Sequence, residues 1–124
     1  MKNPILGLRT AIYRVNDISA AKQWYARAFK VQPYFDEPFY VGFDIGGFEL
    51  GLQPEGGAQE DKPESVVAYW GVEDLHEAYL HFRGTSAEPH EEPREVGGGI
   101  MVAKVKDPWG NLIGLIYNPH FSNG

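Results

Sequence analysis

The sequence predicts an α+β fold of tandem βαβββ modules, with curved mixed sheets around a cavity. Three observations predict it. A strand–Asp–helix segment occurs twice, strand-like stretches follow each helix, and a Pro/Gly/Asn turn precedes the last strand.

The first copy is Ala11-Ile12-Tyr13-Arg14-Val15-Asn16-Asp17-Ile18-Ser19-Ala20-Ala21, and the second runs from Ala68 to Ala78. Ala11 matches Ala68, Val15 matches Val72, Asp17 matches Asp74, Ile18 matches Leu75 and Tyr25 matches Phe82. Asp is a strong N-cap because its carboxylate accepts hydrogen bonds from free N–H groups of the first turn. Glu77 stands at capping-box spacing from Asp74. Ile18, Ala21, Tyr25, Ala28 and Phe29 then recur on one helical face, as do Leu75, Ala78, Tyr79 and Phe82. Gly84 is a natural stop.

In the first half, strands are expected at 32–36, 40–45 and 48–53, with Gly46-Gly47 as a hairpin turn. In the second half they are expected weakly at 86–91, then at 100–106 and 112–117. Asp107-Pro108-Trp109-Gly110-Asn111 forms the turn between the last two. The whole chain, 1–124, reads as one domain with module one at about 5–53, a linker at 54–64 and module two at about 65–118. A module of this size buries little core alone, which explains the pairing.

Composition narrows the function classes. A net charge of −6 with no Lys/Arg cluster argues against a nucleic-acid partner. No apolar run approaches the ~20 residues of a membrane span. The N-terminal Met1-Lys2-Asn3-Pro4-Ile5-Leu6-Gly7 has no apolar h-region, so no signal peptide is expected and a cytoplasmic location is the default. The absence of cysteine removes disulfides, thiolate metal sites and a cysteine nucleophile.

The strand–Asp–helix openings, Trp24-Tyr25 late in the first helix, and Asp107-Pro108-Trp109-Gly110-Asn111-Leu112-Ile113 before an apolar strand resemble the vicinal oxygen chelate superfamily of glyoxalases, bleomycin-resistance proteins, extradiol dioxygenases and epimerases. The likeness runs from about Leu8 to Tyr117. It implies glyoxalase-like paired modules, a homodimer and a U-shaped cavity for a small organic molecule. It also implies four metal-ligand positions, one on the first and one on the last strand of each module. Counting from Asp17 and Asp74 puts the first-strand positions at Thr10 and Val67, and the last-strand positions fall on Glu49, or on Gly51 with a shift of two residues, and on Gly114. Val67 and Gly114 offer no side-chain ligand and Thr10 is a poor one, so no metal and no cofactor is expected. His76 and His81 lie five apart on a helix, His90 in a loop and His120 in the tail, and all four read as surface residues.

Strand alternation extends the ligand positions into a predicted cavity lining of Thr10, Ile12, Arg14, Glu49, Gly51, Val67, Tyr69, Gly71, Gly114 and Ile116. Glu49 has two readings. It is an exposed strand carboxylate, or a cavity group that binds a cation or moves a proton as a catalytic base. Tyr34-Phe35-Asp36-Glu37-Pro38-Phe39-Tyr40 combines four rings with two acids, and Trp109 adds a ring in the late turn. Rings beside acids suit a flat or cationic organic ligand, while ordinary packing is the plainer alternative. Gly97-Gly98-Gly99 lacks the features of a phosphate loop and reads as close backbone approach before a strand. Three functions follow: a metal-independent binding protein that sequesters a small ligand; a lyase, isomerase or dioxygenase using Glu49 as base or metal ligand; or a structural module whose cavity has filled in.

Overall fold

The computed structural model describes residues 4–121. Met1–Asn3, the start of the segment read for a signal peptide, lie outside the described residues. The chain divides into two compact units, one up to Gln59 and one from Glu60. Each is a βαβββ module with a four-stranded mixed sheet, as the repeat predicts.

The first unit contains β1 (Thr10–Val15), α1 (Ile18–Phe29), β2 (Phe35–Glu37), β3 (Tyr40–Ile45) and β4 (Phe48–Pro54), in sheet order β1-β4-β3-β2. β1 runs parallel to β4, and the other pairs are antiparallel. Asp17 starts α1 as expected, its carboxylate accepting the Ala20 N–H at 3.0 Å. Lys30 ends the helix in the left-handed conformation. Alternation along the strands sends Tyr13, Val15, Val41, Phe43, Leu50 and Leu52 into a core with Ala21, Trp24, Tyr25 and Ala28 of α1. The opposite face of the sheet is left open. Gly46 and Gly47, both at positive φ, form the two-residue turn that joins β3 to β4.

The second unit contains β5 (Tyr69–Gly71), α2 (Leu75–Gly84), β6 (Glu88–Glu95), β7 (Met101–Lys106) and β8 (Leu112–Tyr117), in order β5-β8-β7-β6. The Asp74 carboxylate accepts the Glu77 N–H at 3.1 Å and caps α2. Leu75, Tyr79 and Phe82 are buried, together with Ala103, Val105, Ile113 and Leu115 of the sheet. The β7–β8 turn is built around Asp107. Its Oδ1 accepts the N–H groups of Trp109 and Asn111, both at 2.8 Å, and its Oδ2 accepts the Asn111 side-chain amide at 2.9 Å. The carboxylate is buried, so these bonds fix the turn in a setting that water does not rescue.

Two strands depart from expectation. β2 begins at Phe35 rather than near Gln32, because Pro33 has no N–H to give a ladder. β6 is longer than expected and lies later, at Glu88–Glu95, with register shifts around Glu91. Its prolines and charges weaken the strand pattern in sequence, yet they suit an edge strand. Gly97, Gly98 and Gly99 all take positive φ in the loop before β7, and the His120 ring packs its Nε2 against the Gly98 carbonyl at 2.6 Å. No helix among the described residues is long and apolar enough to cross a membrane.

Candidate functional site

The open face of the first sheet carries the side chains of alternate residues on all four strands. Cross-strand pairing aligns Thr10 with Glu49 and Asp44, and aligns Ile12 with Gly51, Gly42 and Phe35. Glu37 pairs with Tyr40 on the same face. Arg14 lies one step beyond Ile12, opposite Gln53. Ile12 is 48% exposed, which is far more than its neighbours Tyr13 and Val15 under the helix. The predicted lining of this unit, Thr10, Ile12, Arg14, Glu49 and Gly51, therefore shares one face.

Glu49 is the hub of that face. Its Oε1 accepts the Thr10 hydroxyl at 2.7 Å and the Tyr40 hydroxyl at 2.9 Å, and its Oε2 accepts the Tyr34 hydroxyl. The two tyrosines reach it because two residues have no side chain. A Cβ on Gly51 would overlap the Tyr40 hydroxyl and ring. A Cβ on Gly42 would meet Glu49 Oε2 at 2.8 Å and the Tyr34 ring at 3.1 Å. Sequence reasoning singled out Glu49 but missed Tyr34 and Tyr40 as its partners. The signal present was a tyrosine pair flanking the short β2 strand and its Pro38-Phe39 turn, with a glycine, Gly42 and Gly51, on each of the next two strands.

The electrostatics follow from these bonds. The Tyr34 hydroxyl, aided by those of Thr10 and Tyr40, holds the Glu49 carboxyl below the usual carboxylate range, against the opposing effect of desolvation. The Tyr40 phenol is pushed up to about 12 by burial and by its bond to Glu49. Tyr34 is raised by the Glu49 bond. At neutral pH the cluster is thus one carboxylate ringed by neutral hydroxyl donors.

A pH dependence follows. A carboxyl with a lowered folded pKa stabilises the fold above its unfolded value of about 4.5, and this stabilisation disappears as pH falls through the folded value. Thr10→Val removes one donor. It is expected to lower the urea midpoint at pH 7 and to bring the variant close to the parent at the acid end. Urea titrations of both chains from pH 7 to pH 3 check this, and parallel curves throughout would contradict it.

The second unit has a different arrangement. Its register pairs Tyr69 with Gly114, and the Gly114 N–H bonds the Ala68 carbonyl just as the Glu49 N–H bonds that of Arg9. The residue in the place of Thr10 is therefore Tyr69, not Val67, which lies before β5. Counting back from the cap fails because backbone pairing, not distance to the helix, fixes which residues face each other. A Cβ on Gly114 would meet the Tyr69 ring at 2.6 Å and the Ala68 carbonyl at 2.9 Å, so Gly114 is the seat of that ring. Ile116 pairs with Gly71. On β7, opposite Gly114, Lys104 pairs with Glu91 at 2.8 Å. Trp109 is 8% exposed and belongs to the buried residues of the late turn.

The donors present do not make a set for a divalent transition metal. One pair is a hydroxyl and a carboxylate that already accepts three hydroxyls, and the other is a phenol ring over a glycine. Among the described residues no group of three or more His, Cys, Asp or Glu converges. His90 instead pairs with Glu64 at 3.0 Å.

Solved structures share this architecture. A glyoxalase-related enzyme from Fulvimarina pelagi superposes with a TM-score of 0.80 at 18% identity, covering 97% of this chain and 94% of that one. A genomically encoded fosfomycin resistance protein from Listeria monocytogenes gives 0.76 at 16% identity, with 92% and 94% covered. A bleomycin resistance determinant encoded on transposon Tn5 gives 0.72 at 19% identity, with 91% and 98% covered. No curated protein matches the sequence. The family model described as Glyoxalase/Bleomycin resistance protein/Dioxygenase superfamily matches residues 7–115, nearly the whole chain, and the chain belongs to that superfamily.

Proposed function

We propose that the chain is a metal-independent small-molecule-binding protein of the glyoxalase/bleomycin-resistance type, which holds a cationic, ring-bearing organic molecule on the Glu49 face. The observation that carries this reading is the Glu49 carboxylate, kept ionised by Thr10, Tyr34 and Tyr40 on an open sheet face. Asp44 and Glu37 share that face and add negative charge, and Tyr34 and Phe35 add exposed rings. Cations gain from both features. The same lowered pKa makes Glu49 a weak base, which favours binding over proton abstraction. The donor set of the two sheets supports the absence of a resident metal. Homodimerisation, the usual assembly implied by the family resemblance, is part of the proposal and is checked by light scattering.

The test is a thermal-shift screen. Bleomycin and simple aromatic ammonium compounds are expected to raise Tm by several degrees at saturation. A ligand at about a hundred times its Kd stabilises by ~2.7 kcal/mol. Fosfomycin, an anionic phosphonate, is expected to leave Tm unchanged, and Glu49→Gln is expected to remove the cation response. Failure of every cation, or stoichiometric Zn, Ni, Mn or Fe in elemental analysis of the purified protein, overturns the reading.

A further inference from the structure

A carboxylate has about four acceptor positions, two on each oxygen. Both positions on Glu49 Oε1 are taken, by Thr10 at 2.7 Å and Tyr40 at 2.9 Å. Oε2 accepts Tyr34 alone among the described residues. One position is left, on Oε2. The two donors on Oε1 are the firmly seated ones. Thr10 is β-branched on a paired strand, and Tyr40 is half-buried over Gly51. Tyr34, by contrast, is 64% exposed, and its ring lies on the Oε2 side because its hydroxyl is that oxygen's donor.

We propose that this single vacancy makes the site selective for ligands offering one N–H donor beside an aromatic ring, and makes it reject forked donors. The inference rests on the cation-binding reading above and narrows its ligand class to aryl-alkyl ammonium ions. An amidinium or guanidinium group binds a carboxylate through two parallel N–H···O bonds, one to each oxygen. Here the Tyr40 and Thr10 hydroxyls already fill Oε1, so a fork must leave one N–H unpaired or expel a seated donor. An ammonium group needs only the Oε2 position. Tyr40 and Thr10 then act as specificity residues that set the valence of Glu49, and Gly51 acts by giving Tyr40 its place.

Isothermal titration of the full chain with benzylamine and benzamidine at neutral pH and low salt tests this. Both probes are cations with one phenyl ring, and they differ in the single versus forked donor. Benzylamine is expected to bind about tenfold or more tightly than benzamidine, the difference of one charged hydrogen bond. Tyr40→Phe keeps the ring and frees Oε1, so the preference is expected to shrink to parity or reverse. Gly51→Ala provides a second route, because its Cβ takes the space of the Tyr40 hydroxyl. In that variant the Tyr40 phenol is expected to titrate well below its value of about 12, read by ultraviolet difference absorbance, with the same change in preference. Benzamidine binding as tightly as benzylamine to the parent, or a preference unchanged in both variants, overturns this proposal and leaves cation binding intact. Binding of neither probe to the parent or to Tyr40→Phe at millimolar concentration overturns both.

Discussion

Asp107→Ala is expected to be among the most damaging single substitutions in the second unit, at a cost of about 3 kcal/mol or more. The buried carboxylate accepts two backbone N–H groups and one side-chain amide, and alanine leaves all three donors without it. Each hydrogen bond to a charged group contributes roughly 1.5–3 kcal/mol, and unpaired buried donors carry their desolvation cost. The sum is less than additive because the turn relaxes. A fall in Tm of about 10 °C or more is expected for a chain of this size. Asp107→Asn provides the control. It keeps an oxygen for the two backbone donors but turns one amide toward another at Asn111, so an intermediate loss is expected. Thermal unfolding of the three chains orders them. Faster amide exchange in Asp107→Ala is expected to concentrate in β7 and β8, and a variant as stable as the parent would refute this account of the turn.

Tyr25→Ala is expected to cost the first unit about 3–5 kcal/mol, the usual range for deleting a large buried ring. Tyr25 is fully buried, stacks on Tyr13 and Phe29 with ring centroids 5.7 Å away in each case, and meets Trp24 edge-on at 4.8 Å. These contacts hold α1 against the strands whose other face carries Thr10 and Glu49. Tyr25→Phe keeps the stack and is expected to lose far less. Urea unfolding followed by tryptophan fluorescence measures both. Equal losses in the two variants would assign the role of Tyr25 to its hydroxyl rather than to its ring.

How much of this was legible in sequence depended on whether the determining contacts were local. Asp17 and Asp74 cap helices through bonds to residues three positions away, so their role is written in the adjacent sequence. The Gly46-Gly47 turn and the Asp107–Asn111 turn are likewise self-contained. Glu49 is placed through the resemblance, whose last-strand pattern Phe48-Glu49-Leu50 matches. Its partners Tyr34 and Tyr40 converge only through the pairing of β2, β3 and β4, and nothing local to either residue names Glu49. The error at Val67 has the same origin. A count from the helix cap assumed that both modules keep the same distance between strand pairing and helix, whereas Tyr69 stands five residues before Asp74 and Thr10 seven before Asp17. The burial of Trp109 was not legible either, because it depends on packing around the late turn and not on the turn's own residues.

The Tyr69 ring over Gly114 also constrains which substitutions the last strand accepts. A side chain at position 114 does not fit unless that ring and the Ala68 carbonyl shift, because its Cβ would lie 2.6 Å from the one and 2.9 Å from the other. A smaller residue at 69 alone would leave Gly114 without the ring that covers it. The two positions are therefore sterically coupled, and a side chain at 114 needs a smaller residue at 69 as well as a shift of the Ala68 carbonyl. The second sheet is thus packed by a ring at the register position where the first sheet carries its polar cluster.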